Sequence, residues 1–186
     1  ETGLSVDLIF GGTGALYSQI VQGAPFDALL SADATTPARL ADEGFGAPDT
    51  LFTYAIGRLV LFSAQEELVS GPQSLAGAFN HIAIAEPATA PYGAAAIEVL
   101  DGLGLLEHLT LKLVIGQNIA QTYQFVDTGN AELGFVALSQ VINRDDGSRW
   151  IVPEALHAPI VQDAIPLSED NVAARAFLEF LTSDAA

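Results

Sequence analysis

Short apolar runs of strand length alternate along this chain with stretches of helical periodicity, and this alternation constrains the fold more than any other feature. The runs fall at Ser5–Phe10, Phe26–Leu30, Tyr54–Ser63, His81–Glu86, Leu111–Ile115, Leu133–Leu138 and Pro159–Leu167. Helical patterns lie between and after them, at Ala15–Val21, Thr36–Glu43, Leu75–Phe79, Ala90–Leu103, Asn118–Asp127 and Glu169–Leu181. In the last of these, Ala173, Phe177 and Phe180 are expected to face inward. Strands separated by helices predict an α/β protein, with helices covering a sheet. Half of the 186 residues are hydrophobic, so the chain buries a core and is not generally disordered. The length suits one large domain or two small lobes. No apolar run approaches the roughly 20 residues that span a bilayer.

Charge narrows the partners. Six Lys and Arg stand against 23 Asp and Glu, a formal net charge of −17. That field lacks the basic footprint of a nucleic-acid binder and is repelled by anionic lipid. It also opposes long-range capture of anions, so any anion site here works through local dipoles. Cysteine is absent, which removes disulfides, thiolate metal sites and Cys nucleophiles. Methionine is absent too, even at position 1, so the chain is expected not to start at a translation start.

The sequence holds no G-x-S-x-G elbow, no H-E-x-x-H and no Walker phosphate loop. Its three histidines, His81, His108 and His157, lack metal-ligand spacing, and Asp145-Asp146 sits in a polar turn. The expectation is a binding protein with no catalytic residues, no cofactor and no metal held by side chains. One device recurs instead: a short loop of small or hydroxyl residues that opens into a helix, at Gly11–Gly14, Ala90–Gly93 and Gly116–Ala120. The first turn of a helix has unpaired N–H groups and a partial positive charge, and such ends bind anions without a cationic side chain. Ser31 and Asp33 read as a strand-to-helix cap rather than as ligands. Arg58 reads as a surface ion-pair partner.

At these loops the chain resembles the molybdate-binding periplasmic protein family, the solute receptors of molybdate/tungstate ABC importers. The matching stretches are GGTGALYSQIVQGAPFDALLSAD (11–33), FTYAIGRLVLFSA (52–64), IAEPATAPYGAAAIEVLDGLGL (84–105), GQNIAQTYQFVDTGNAELGFVALSQV (116–141) and PIVQDAIPL (159–167). They cover most of the chain in the family's order. The resemblance implies a type II periplasmic-binding fold: two α/β lobes, residues 1–54 with 139–186 and residues 55–138, with the ligand in the cleft. Oxyanion donors carry over onto Thr13 (hydroxyl and N–H), Tyr92 (N–H) and Ile119 (N–H). Gly12, Pro91 and Asn118 shape the loops and are second choices for contact.

The family's first strand and donor loop would precede Glu1, so the fold is expected with that strand and loop missing, about 25 residues at ordinary element lengths. Loss of a central strand exposes apolar sheet edges, so the chain is expected either to be unstable or to associate with another chain. The implied ligand is molybdate or tungstate, the implied partner an ABC permease in the membrane, and the implied location periplasmic. A tetrahedral dianion that carries no proton accepts hydrogen bonds only, and the segments around Thr13, Tyr92 and Ile119 offer amides and hydroxyls with no acid directly beside them. Glu86 lies six residues before Tyr92 and is an acid that could reach the ligand. Two alternatives stand beside this reading: a sensory or regulatory oxyanion-binding domain of the same fold, and a sulfate-type receptor.

Overall fold

The computed structural model describes residues 5–46, 48–168 and 171–183. In chain order its main elements are α1 (Thr13–Val21), β1 (Ala28–Leu30), α2 (Thr35–Asp42), β2 (Phe52–Gly57), β3 (Leu59–Ser63), β4 (Ile82–Ala85), α3 (Pro91–Gly102), α4 (Leu106–Leu109), β5 (Leu113–Gly116), α5 (Ile119–Asp127), β6 (Leu133–Ala137), α6 (Leu138–Val141), β7 (Ser148–Ile151), β8 (Ile160–Pro166) and α7 (Val172–Leu181). The chain divides into two compact units, Glu1–Ile56 with Val161–Ala186 and Gly57–Ile160.

The first unit is built on a three-stranded sheet in the order β1-β8-β2. β1 runs antiparallel to β8, with Leu29 opposite Ile165. Ile20 of α1 and Leu40 of α2 close over Leu29 and Ile165 to form its core. The terminal helix α7 buries Ala174 and Leu178. Ala173 and Phe180, expected to face inward, are exposed. The helix is apolar on several faces, so pattern alone did not fix which one turns in.

The second unit carries a five-stranded mixed sheet in the order β5-β4-β6-β3-β7. β4 is parallel to both β5 and β6, and β3 is antiparallel to β6 and β7. Every residue of β3, β4 and β6 is buried. Unbroken runs such as Leu-Val-Leu-Phe and Ile-Ala-Ile-Ala are what strands covered on both faces require. Phe62, Val60 and Val136 pack with Val126 of α5 in the core.

Four expectations are corrected. Ser5–Phe10 forms no strand; Phe10 is 78% exposed, and the segment has no strand partner among the described residues. Tyr54–Ser63 is two strands that break at Arg58 and belong to different sheets. Leu75–Phe79 is replaced by a short 3-10 turn at Pro72–Ala76. β7 was not expected at all. It keeps residues 139–160 in the second unit, whereas the sequence reading put them with the first lobe, because Trp150 pairs with Leu61 and Ile151 with Val60. Arg58 pairs with Glu154 at 3.2 Å, as an exposed ion pair.

Candidate functional site

In the first unit the chain leaves Gly11 and enters α1 through Gly12, whose carbonyl accepts the Ala15 and Leu16 N–H groups at 2.9 and 3.0 Å. Thr13 and Gly14 therefore carry the first-turn amides. The Thr13 side chain is buried, and its hydroxyl oxygen accepts the Ala32 N–H at 3.2 Å. Ala32 is held by its neighbours. Ser31 is fully buried; its N–H donates to the Asp163 carbonyl, its carbonyl accepts the Tyr54 hydroxyl, and its hydroxyl oxygen accepts the Asp33 N–H. Asp33 caps α2, accepting from the Thr36 N–H at 2.6 Å and from the Thr36 and Thr35 hydroxyls. The S-A-D turn is thus the strand-to-helix cap expected from sequence, and through Ala32 it also touches Thr13.

In the second unit two helix starts follow neighbouring parallel strands. β4 and β5 pair up to Ala85 and Gly116, and the Glu86 N–H donates to the Gly116 carbonyl at 2.7 Å. α3 begins six residues after Ala85, and α5 three residues after Gly116. Both N-termini thus lie past the carboxyl ends of adjacent parallel strands, where open α/β sheets bind ligands. Pro91, first in α3, has no N–H, and the Gly93 and Ala94 N–H groups go to the Ala90 carbonyl at 2.8 and 3.1 Å. Tyr92 is therefore the first residue of α3 that carries an amide proton. Its ring is buried. Gly93 lets the helix start approach the strand: a Cβ there would lie 2.2 Å from the Ala85 carbonyl oxygen. The Glu86 carboxylate accepts the Ala88 N–H at 3.3 Å, within its own loop.

At α5 the Asn118 side chain accepts the Gln121 N–H at 2.9 Å, an ordinary N-cap. The Asn118 carbonyl accepts both the N–H and the hydroxyl of Thr122. Gln121 folds back to accept the Gln117 N–H at 2.6 Å. Among the described residues this leaves the Ile119 and Ala120 N–H groups without an acceptor. A residue absent from the sequence reading enters here: Gln140 of α6 accepts the Ala137 N–H at 2.9 Å and donates to the Ile119 carbonyl at 3.2 Å. Its one sequence signal is a Gln three residues after Ala137, the residue just before the helix, which is the spacing of a capping box.

The site residues therefore fall into two sets. Thr13 and Gly12 lie in the first unit, and Tyr92, Pro91, Ile119 and Asn118 at adjacent helix starts in the second. The first set offers first-turn amides and the Thr13 hydroxyl, and the second offers first-turn amides. Among the described residues no group of three or more His, Cys, Asp or Glu could hold a metal ion. None of the described helices is long and apolar enough to cross a membrane.

A family model described as bacterial extracellular solute-binding protein matches residues 1–186. The chain is 50% identical over 184 residues to the molybdate-binding protein ModA of Rhodobacter capsulatus, covering 97% of this chain and 73% of that protein. It is 52% identical over 188 residues to ModA of Azotobacter vinelandii, covering 97% and 75%. The solved periplasmic molybdate-binding protein of Azotobacter vinelandii superposes with a TM-score of 0.93 at 41% identity, over 98% of this chain and 83% of that one. These matches carry the mixed α/β architecture of the type II periplasmic-binding fold, and the chain belongs to the bacterial extracellular solute-binding proteins and, among them, to the molybdate-binding protein family.

Proposed function

We propose that this protein is an extracytoplasmic receptor for molybdate, with tungstate as a closely similar ligand, and that it delivers the anion to an ABC importer without catalysing a reaction. The observation that carries this reading is the identity of 50% or more with two molybdate-binding proteins, spread over 97% of the chain. The chemistry of the helix starts supports it. A fully deprotonated tetrahedral dianion offers acceptors alone, and the proposed contacts are donors: the Thr13 hydroxyl and N–H, the Tyr92 N–H and the Ile119 N–H. Gly12 and Asn118 shape the loops that present them. No cation is required, because each helix start contributes a partial positive charge where it meets the ligand.

In this proposal the chain binds one anion, and binding favours the conformation in which its donors are engaged. The transporter permease then recognises that conformation. The thermal midpoint tests the binding step. A ligand that binds the native state alone stabilises it by about 2.7 kcal/mol at a hundredfold excess over Kd. Molybdate should raise the melting temperature in a concentration-dependent way, whereas chloride at equal ionic strength should not. Identical melting curves would refute the receptor reading.

A further inference from the structure

We propose that Gln140 is a positioning residue for the ligand-facing end of α5, an inference that rests on reading that end as an oxyanion site. Gln140 is half-buried in the single turn α6, which begins directly after β6. Both ends of its carboxamide are committed. Oε1 accepts the Ala137 N–H at 2.9 Å, and Nε2 donates to the Ile119 carbonyl at 3.2 Å, across 21 residues of sequence. An N–H on one side and a carbonyl on the other fix which way the amide points.

The contact to Ile119 is more than a cap for α6. Capping needs Oε1 alone. The Nε2 bond reaches a different helix, at the first residue of its first turn, and ties that residue to the end of β6. It also acts on a particular peptide group. The Ile119 carbonyl belongs to the same peptide as the Ala120 N–H, and a hydrogen bond accepted at the oxygen polarises that N–H into a stronger donor. The Ala120 N–H has no acceptor among the described residues. Gln140 therefore holds Ile119 in place and strengthens the neighbouring amide, so α5 presents two donors, Ile119 and Ala120, to the anion.

The test compares wild-type protein with Gln140→Met, which keeps the side-chain length and removes both polar ends. Calorimetric titration with molybdate should show about a three- to tenfold weaker Kd in the variant, the range expected for one lost hydrogen bond. Melting temperature is measured in parallel without ligand. A lower melting temperature with an unchanged Kd would mean that Gln140 only caps α6, and would overturn the proposal. Wild-type protein that binds no molybdate would refute the site reading itself, and this inference with it. A second readout does not depend on the variant folding: in wild-type protein, molybdate should shift the Ile119 and Ala120 backbone amide resonances. An Ala120 amide that stays in place on saturation would overturn its role as a donor.

Discussion

The hydroxyl oxygen of Thr13 accepts a hydrogen bond from the Ala32 N–H at 3.2 Å, linking the first turn of α1 to the S-A-D turn after β1. One lone pair is thereby occupied, and the hydroxyl proton is left to point away from Ala32. Thr13 is thus set up as a donor by a backbone group that belongs to another element.

Thr13→Val keeps the shape and removes that donor. A hydrogen bond to a charged group contributes about 1.5–3 kcal/mol, so molybdate affinity should fall about ten- to a hundredfold. Thr13→Ser should restore most of it. Titration of the three proteins checks this, and equal affinity in the Val variant would exclude the hydroxyl as a ligand.

Gly93 is required by space rather than by conformation. A Cβ would lie 2.2 Å from the Ala85 carbonyl oxygen, a backbone atom that cannot swing aside. Gly93→Ala should push the start of α3 off β4, cost about 1–3 kcal/mol of stability and carry Tyr92 out of position. Chemical denaturation and molybdate titration should both register the change.

Asn118 separates stability from binding. Asn118→Ala removes the cap on Gln121 and should cost about 0.5–2 kcal/mol of stability. Asn118→Asp keeps the acceptor, so stability should stay near that of the wild type, while a negative charge beside the anion weakens binding. An Asp variant that binds as tightly as the wild type would put the anion elsewhere.

Glu132 gives a pH dependence remote from the ligand. Burial pushes its pKa up, but hydrogen bonds from the His81 N–H and from the Asn80 side chain and N–H outweigh this and hold it below the ordinary glutamate value. A depressed folded-state pKa contributes stability that is present above the unfolded-state value and lost as pH falls through the folded one. On acidification below about pH 4.5 the wild type should lose stability relative to Glu132→Gln, and above that the difference should level off. Melting curves across acid pH would reveal it.

Much of this architecture could be read before any coordinates. The buried runs of β4 and β6, the A-P-Y-G and G-Q-N helix starts and the Asp33 cap are all local, set by residues within a turn or a strand of one another. What escaped was non-local. β7 reads as Ser-Arg-Trp-Ile after a charged turn, and only its pairing with β3 makes it a strand. Gly147, with φ of +73° and no room for a Cβ beside the Ser63 carbonyl, marks that turn, yet a glycine alone does not announce its partner. Gln140 meets Ile119 from 21 residues away. Ala32 meets Thr13 through a backbone amide, which no side-chain pattern signals. Ser5–Phe10 shows the converse: its apolar alternation suits a strand, but a strand needs a neighbour.

The most direct test of the receptor reading is calorimetric titration of the purified protein at pH 7 with molybdate, sulfate and phosphate side by side. The account predicts one molybdate per chain at micromolar affinity or tighter, weaker heat from sulfate, and none from phosphate, whose remaining proton finds no acceptor among these donors. Phosphate binding as tightly as molybdate, or a folded protein that takes up no molybdate, would contradict it.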